Sequence, residues 1–192
     1  MRHLRSLGFP IAVADPRWDA VAPNIAKGLR LYCDTLPARL ARGQGLILGG
    51  NVGTGKTSCL ALIALAARQR CEAMLLTAGK LFRALARPWE EAAAETLEMA
   101  HQVDLLLIDD LGTEAARSES LAAFHEFING RTGNRRSLCL TTNCRPETLR
   151  NMPDLARAFD RIEELNPWLI AEGESRRRKA ALQDWLITES EE

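Results

Sequence analysis

Long hydrophobic runs are missing from this chain of 192 residues. No apolar stretch approaches the twenty residues of a membrane-spanning helix, which argues against a membrane protein. The opening Met1-Arg2-His3-Leu4-Arg5 leads only into a short, proline-broken apolar stretch, so no secretion signal is read there. Net charge is missing too: 25 Lys and Arg balance 25 Asp and Glu. No domain-wide field favours nucleic acid, and any such surface has to be local. Paired cysteines are a third absence. Cys33, Cys59, Cys71, Cys139 and Cys144 form no C-x-x-C pair, and most lie among apolar neighbours. That odd, scattered set reads as reduced core thiols in the cytosol, not disulfides or a zinc site. No histidine is placed to activate one as a catalytic nucleophile. Repeats and low-complexity tracts are absent as well. What remains, 46% hydrophobic residues in a chain of this length, is one globular domain with a full core, expected in the cytoplasm.

What is present is organised around Gly50-Asn51-Val52-Gly53-Thr54-Gly55-Lys56-Thr57. The short apolar run Leu46-Ile47-Leu48 precedes it, and Ser58 to Leu65 reads as a helix after it. Strand, glycine-rich loop and helix is the context in which G-x-x-x-x-G-K-[ST] means a phosphate-binding P-loop. Glycines let successive backbone N–H groups turn inward around a polyphosphate, helped by the positive end of the following helix. Lys56 adds a mobile charge at the β/γ-phosphates, and the Thr57 hydroxyl can enter a Mg²⁺ shell. Gly50 through Ser58 are therefore the expected nucleotide-binding residues, with ATP and Mg²⁺ as cofactors.

In chain order, residues 1–20 carry Gly8, Pro10 and Pro16 and no period, so an irregular leader is expected. One helix is read over 21–40, ended near Pro37. The P-loop helix runs to about Arg70. Strands follow at 73–77, 103–110 and 138–142, with a short last one at 168–170. Helices are read at 79–87, 89–101, 118–129 (stopping at Gly130), 146–150, 154–165 and 174–187. The last begins with the basic run Arg176-Arg177-Arg178-Lys179, and 188–192 is an acidic tail. Strands alternating with helices mean a parallel sheet covered on both faces, with ligands at the carboxyl ends of its strands.

The apolar run before Asp109 and Asp110 is the usual setting of a Walker B acid, a carboxylate carried by a buried strand to the metal. Asp109 is the metal candidate beside Thr57. Asp110 is the candidate for polarising the attacking water, with Glu114 as competitor. Thr142-Asn143 ends the next strand, where the Asn143 amide could orient that water or touch the γ-phosphate. Arg157 and Arg161, four apart on one helical face with Asp154 and Glu164 nearby, read from spacing alone as a solvated, salt-bridged surface, although arginines can also be supplied to a neighbour's site.

This order of residues resembles the AAA+ ATPases of the DnaC/IstB type, which are bacterial helicase loaders and transposition helper ATPases related to DnaA. The resemblance runs from about Gly8 to Arg178. It rests on Gly50–Thr57, Val103–Gly112, Thr141-Thr142-Asn143 and the Arg-x-Phe-Asp-Arg-Ile of 157–162. It implies an α/β core with sheet order 5-1-4-3-2, helices on both faces and no C-terminal lid domain. Asn143 takes the sensor I position, and Arg161, with Arg157 nearby, falls in the arginine-finger segment. ATP would sit at subunit interfaces of an open ring or spiral. The two helices over 79–101 would include an element touching single-stranded DNA, where Lys80, Arg83 and Arg87 could track phosphates.

Two departures bear on function. The resemblance begins almost at the start of the sequence, so the N-terminal extension by which loaders grip the helicase is expected to be missing, and that by which helpers recognise the transposase to be short or missing. Asp110 stands where many relatives have glutamate, so slow hydrolysis is expected. The resulting expectation is an ATP-hydrolysing, helicase-loader-like protein over 21–187. It would couple nucleotide state to assembly on single-stranded DNA or a replication partner such as the replicative helicase. The alternatives are a helper acting on duplex DNA with a transposase, and a nucleotide-gated adaptor with little turnover.

Overall fold

A computed structural model describes residues 2–13, 15–112 and 118–175. The chain opens with helix α1 (Arg2–Ser6) and two 3-10 turns, Ile11–Val13 and Trp18–Ala20. The leader is thus partly helical where an irregular one was expected. Leu4 and Phe9 are buried in the core, which anchors it. Helices α2 (Pro23–Asp34) and α3 (Leu36–Leu40) replace the single helix read over 21–40. The break falls at Thr35, and Pro37 lies in the first turn of α3. A proline lacks the N–H that a continuous helix would need there, so it opens the second helix instead of ending the first.

Strand β1 (Leu46–Gly50) leads through the glycine loop into α4 (Lys56–Ala67). That helix ends three residues before Arg70, because Gln69 turns left-handed with φ 72°. Then come β2 (Ala73–Thr77), α5 (Ala78–Ala86), α6 (Glu91–Gln102) and β3 (Leu105–Leu111). Helix α7 (Ser118–Gly133) runs through Gly130 instead of stopping there. A Cβ on Gly130 would lie 3.0 Å from His101 Cε1, so that glycine serves close helix packing, not termination. Strand β4 (Ser137–Thr142), α8 (Pro146–Arg150), α9 (Pro153–Glu163) and β5 (Trp168–Ala171) complete the described elements. The helix expected over 174–187 is not formed at Glu174 or Ser175, and its remainder, with the acidic tail, lies outside the described residues.

The five strands are parallel in the order β2-β3-β4-β1-β5, which is the expected 5-1-4-3-2 read from the other edge. Period-two alternation sends side chains to two separate cores. Leu46, Leu48, Leu105, Leu107 and Cys139 pack against α2 and α4 on one face. Ile47, Leu106, Ile108, Leu138 and Leu140 pack with Phe82, Phe124, Phe127 and Phe159 on the other. Each fully buried leucine or isoleucine contributes about 1.5–3 kcal/mol. Because every strand runs the same way, β1, β3 and β4 all deliver their carboxyl ends to one edge.

One buried cation ties the opposite edge together. Arg131, 1% exposed, donates through Nη1 to the carbonyls of Ala100, His101 and Val103 at the end of α6. Through Nη2 it donates to Ser137 O at the start of β4, 2.6 Å away. Carbonyls at a helix C-terminus lack intrahelical partners and carry partial negative charge, which suits a guanidinium. Burial still lowers its pKa to about 10.

Among the described residues, no helix is long and apolar enough to cross a membrane. None of the five cysteines is in a disulfide. Burial raises Cys33 and Cys139 to about 12 and Cys71 to about 11, so these three thiols stay protonated and unreactive.

Candidate functional site

The glycine loop leaves β1 at Gly50 and reaches α4 through two left-handed glycines, Gly53 (φ 84°) and Gly55 (φ 92°). A side chain at either position would be strained, which is the physical reason for glycine in this turn. Thr54 closes the loop on itself, its hydroxyl donating to Asn51 O at 2.9 Å. Lys56, 7% exposed, donates from Nζ to Gly50 O and Asn51 O, each at 2.7 Å. Its ammonium therefore stays inside the loop, where a polyphosphate anion would compete for it. Thr57 and Ser58 follow in the first turn of α4, whose N-terminus faces the same space.

The acids arrive from β3 by a local irregularity. Ile108 pairs with Leu140 and Leu111 with Thr142, so Asp109 and Asp110 together oppose the single residue Thr141. This is a β-bulge, and Asp110 takes the left-handed conformation it needs, φ 65°. In a regular strand, neighbouring side chains would point to opposite faces. Here the Thr57 hydroxyl donates to both Asp109 carboxylate oxygens, at 3.1 and 3.2 Å. Asn143 Nδ2 donates to Asp110 Oδ1 at 2.7 Å. The bulge thus lets both carboxylates meet residues of the candidate site.

Thr141, 1% exposed, secures the bulge. Its hydroxyl donates to Asp109 Oδ1 at 2.6 Å and accepts the backbone N–H of Asp110 at 2.8 Å. From sequence, Thr141 stands only within a strand and in the Thr141-Thr142-Asn143 landmark, with no role of its own.

Burial raises the pKa of Asp109 above the usual carboxylate range, opposed by hydrogen bonds from Thr141 and Thr57. Repulsion from Asp110 raises it further, and Lys56 lowers it. A half-buried carboxylate that among the described residues receives hydrogen bonds from hydroxyls alone suits a divalent cation, which would offset its desolvation. Among the described residues, no group of three or more His, Cys, Asp or Glu could hold a metal alone. The Thr57–Asp109 pair fits magnesium that is completed by phosphate oxygens and water.

The remaining candidates fall elsewhere or outside. Glu114 lies outside the described residues. Arg161 pairs with Glu164 within its own turn of α9, and Arg157 is exposed one turn earlier. Among the described residues, neither hydrogen bonds to the loop or the acids. Lys80 and Arg83 are exposed on α5, and Arg87 just beyond it pairs with Glu90. Trp89, between α5 and α6 and 77% exposed, was not singled out from sequence.

A cavity of about 320 Å³ adjoins the loop, lined by Gly50, Asn51, Asn143 and the end of β5. The larger groove, about 800 Å³, lies at the amino ends of the strands. Size is a poor guide here, because parallel α/β sheets bind their ligands at the carboxyl ends of the strands.

Solved structures share this fold. That of DnaI is 24% identical, with TM-score 0.71, covering 88% of this chain and 94% of that one. The DnaC helicase loader is 22% identical, with TM-score 0.69, covering 85% and 100%. Domain III of the Thermotoga maritima replication initiation protein DnaA is 21% identical, with TM-score 0.68, covering 92% and 75%. No curated protein matches the sequence. The family model described as IstB-like ATP binding protein matches residues 38–183, which take in the glycine loop, both aspartates, Asn143 and the arginines of α9. The chain belongs to this family of IstB-like ATP-binding proteins, with an AAA+ P-loop fold.

Proposed function

We propose that the protein binds Mg-ATP and hydrolyses it slowly, using nucleotide state to control its assembly on single-stranded DNA or on a replication partner. The observation that carries this reading is the Asp109 carboxylate, held by Thr57 of the loop helix and Thr141 of the neighbouring strand. Lys56 and the loop amides would hold the phosphates. Magnesium, held by Thr57 and Asp109, would spread and neutralise the phosphate charge during transfer. Asp110 would accept a proton from the attacking water, with Asn143 fixing the carboxylate through its 2.7 Å bond. An aspartate reaches less far than a glutamate and here is already bound to Asn143, which supports slow turnover. Glu114 remains the competing base.

Arg161, with Arg157 beside it, would complete the site of a second copy in a ring or spiral. Among the described residues, neither hydrogen bonds to its own chain's loop or acids, which supports supply in trans. For DNA, exposed Trp89 offers a stacking platform beside Lys80, Arg83 and Arg87, and base stacking on an aromatic contributes about 1–3 kcal/mol per base. A transposase-linked action on duplex DNA is the second reading, favoured by the IstB-like family match.

Steady-state ATPase, measured with single-stranded and with duplex DNA across protein concentration, tests the whole reading. Lys56→Ala is expected to abolish nucleotide binding. Arg161→Ala is expected to spare binding yet lose concentration-dependent turnover, and wild-type turnover at high protein concentration would remove the finger assignment. Trp89→Ala is expected to weaken single-strand binding about tenfold or more while leaving duplex binding unchanged.

A further inference from the structure

The edge strand β5 packs closely against the end of β1, where the glycine loop begins. It runs parallel to β1, with Gly49 opposite Ile170 and Gly50 opposite Ala171. A Cβ on Gly49 would lie 2.9 Å from the Trp168 ring, and one on Gly50 (φ 135°) would run into the Ala171 carbonyl. Gly49 and Gly50, at the end of β1, are therefore both kept without a side chain by β5.

The chain leaving β5 is then held in place. Asn24, in the first turn of α2, donates from Nδ2 to Ile170 O at 2.7 Å. Its Oδ1 accepts the N–H of Glu172 at 3.3 Å. One side chain thus grips the backbone on both sides of Ala171. Gly173, with φ 135°, turns the segment, and Ser175 arrives directly over Gly53. A Cβ on Gly53 would be 2.9 Å from the Ser175 Cβ and would collide with its hydroxyl. The half-buried Ser175 side chain thus packs against the middle of the anion-binding loop, 122 positions later in sequence.

We propose that Ser175 is a further ligand of the nucleotide's polyphosphate, its hydroxyl supplied in cis by the segment that Asn24 clamps beyond β5. This rests on the nucleotide-binding reading of the same loop. A serine there gives the loop a donor that can rotate, beside backbone N–H groups that cannot. It also makes position 175 a place where added negative charge opposes bound phosphate.

The test is calorimetric binding of Mg-ATP, Mg-ADP and AMP to the full chain, its Ser175→Ala and Ser175→Asp variants, and Lys56→Ala as a control. Thermal melts check that each variant is folded. Ser175→Asp is expected to raise the ATP Kd about tenfold, ADP by less and AMP least, because the opposing charge grows with the phosphate chain. Ser175→Ala is expected to raise the ATP Kd about threefold, the loss of one hydrogen bond. If wild type binds Mg-ATP and Ser175→Asp binds it within twofold, the proposal is overturned while the nucleotide site stands. An equal penalty on all three ligands overturns it too, since that would mark a general distortion. Failure of wild type itself to bind Mg-ATP removes the nucleotide reading and this proposal with it.

Discussion

Thr141→Val isolates one hydroxyl. Valine keeps nearly the same shape, so packing at this fully buried position changes little, and two hydrogen bonds are lost. The first is to the Asp109 carboxylate at 2.6 Å. Hydrogen bonds to an ionised group contribute about 1.5–3 kcal/mol. The second leaves the Asp110 N–H without the oxygen that accepts it at 2.8 Å, in the middle of a bulge. A buried amide deprived of its acceptor costs about 1–3 kcal/mol. The site is only part-buried, so water recovers some of the second contribution, and the expected loss is about 3 kcal/mol. At about 2–4 °C per kcal/mol for a chain of this size, the melting temperature falls by about 6–12 °C. Thr141→Ser retains the hydroxyl and loses one methyl, for about 1 kcal/mol. Urea denaturation at pH 7 compares the three proteins, with equal slopes required for the comparison. Should valine prove no worse than serine, the hydroxyl would not be holding the bulge. A functional readout accompanies the stability change. Losing the strongest hydrogen bond to Asp109 raises its pKa further, so magnesium-dependent nucleotide affinity in the variant should fail at higher pH than in wild type.

Asp109→Asn is expected to stabilise the free protein while removing magnesium-dependent affinity. Burial raises the native pKa of Asp109, so the folded state binds protons more readily than the unfolded state. Stability then declines as pH rises through the window between the usual carboxylate value and the raised one, and the penalty is fully present above it. The advantage of asparagine should accordingly be seen in urea denaturation at pH 7 and shrink towards pH 4; a constant difference would contradict the burial argument. Arg131→Met should cost about 3 kcal/mol or more, because four carbonyls at the join of α6 and β4 lose a charged donor. Hydrogen exchange at residues 99–103 and 136–138 should rise first, and unchanged protection there would show that the guanidinium is not the tie.

Much of the fold was legible because the relevant signals are local. Apolar runs of four to six residues alternating with helical periods specify a parallel sheet, and a parallel sheet with a glycine loop after its first strand specifies where a ligand sits. Element ends were read less well wherever a residue type has two uses. Gly130 reads as a helix stop but is a packing contact with His101. Pro37 reads as a helix end but lies in a helix's first turn. A composition rule cannot separate these uses, because the partner that decides between them is far away in sequence.

The sequence by itself determined the glycine loop, the identity of its lysine and hydroxyl, and the buried strand that carries the acids, all of them patterns contained within a few consecutive residues. Only the tertiary structure decided how those parts meet. The bulge that brings Asp109 and Asp110 to one site exists because Thr141, on another strand, accepts the hydrogen bond that the ladder gives up. Ser175 reaches Gly53 because Asn24, from the far end of the chain, clamps the segment between them. Such contacts join residues more than thirty positions apart. A linear pattern holds no record of them, because they are selected by the packing of the whole sheet.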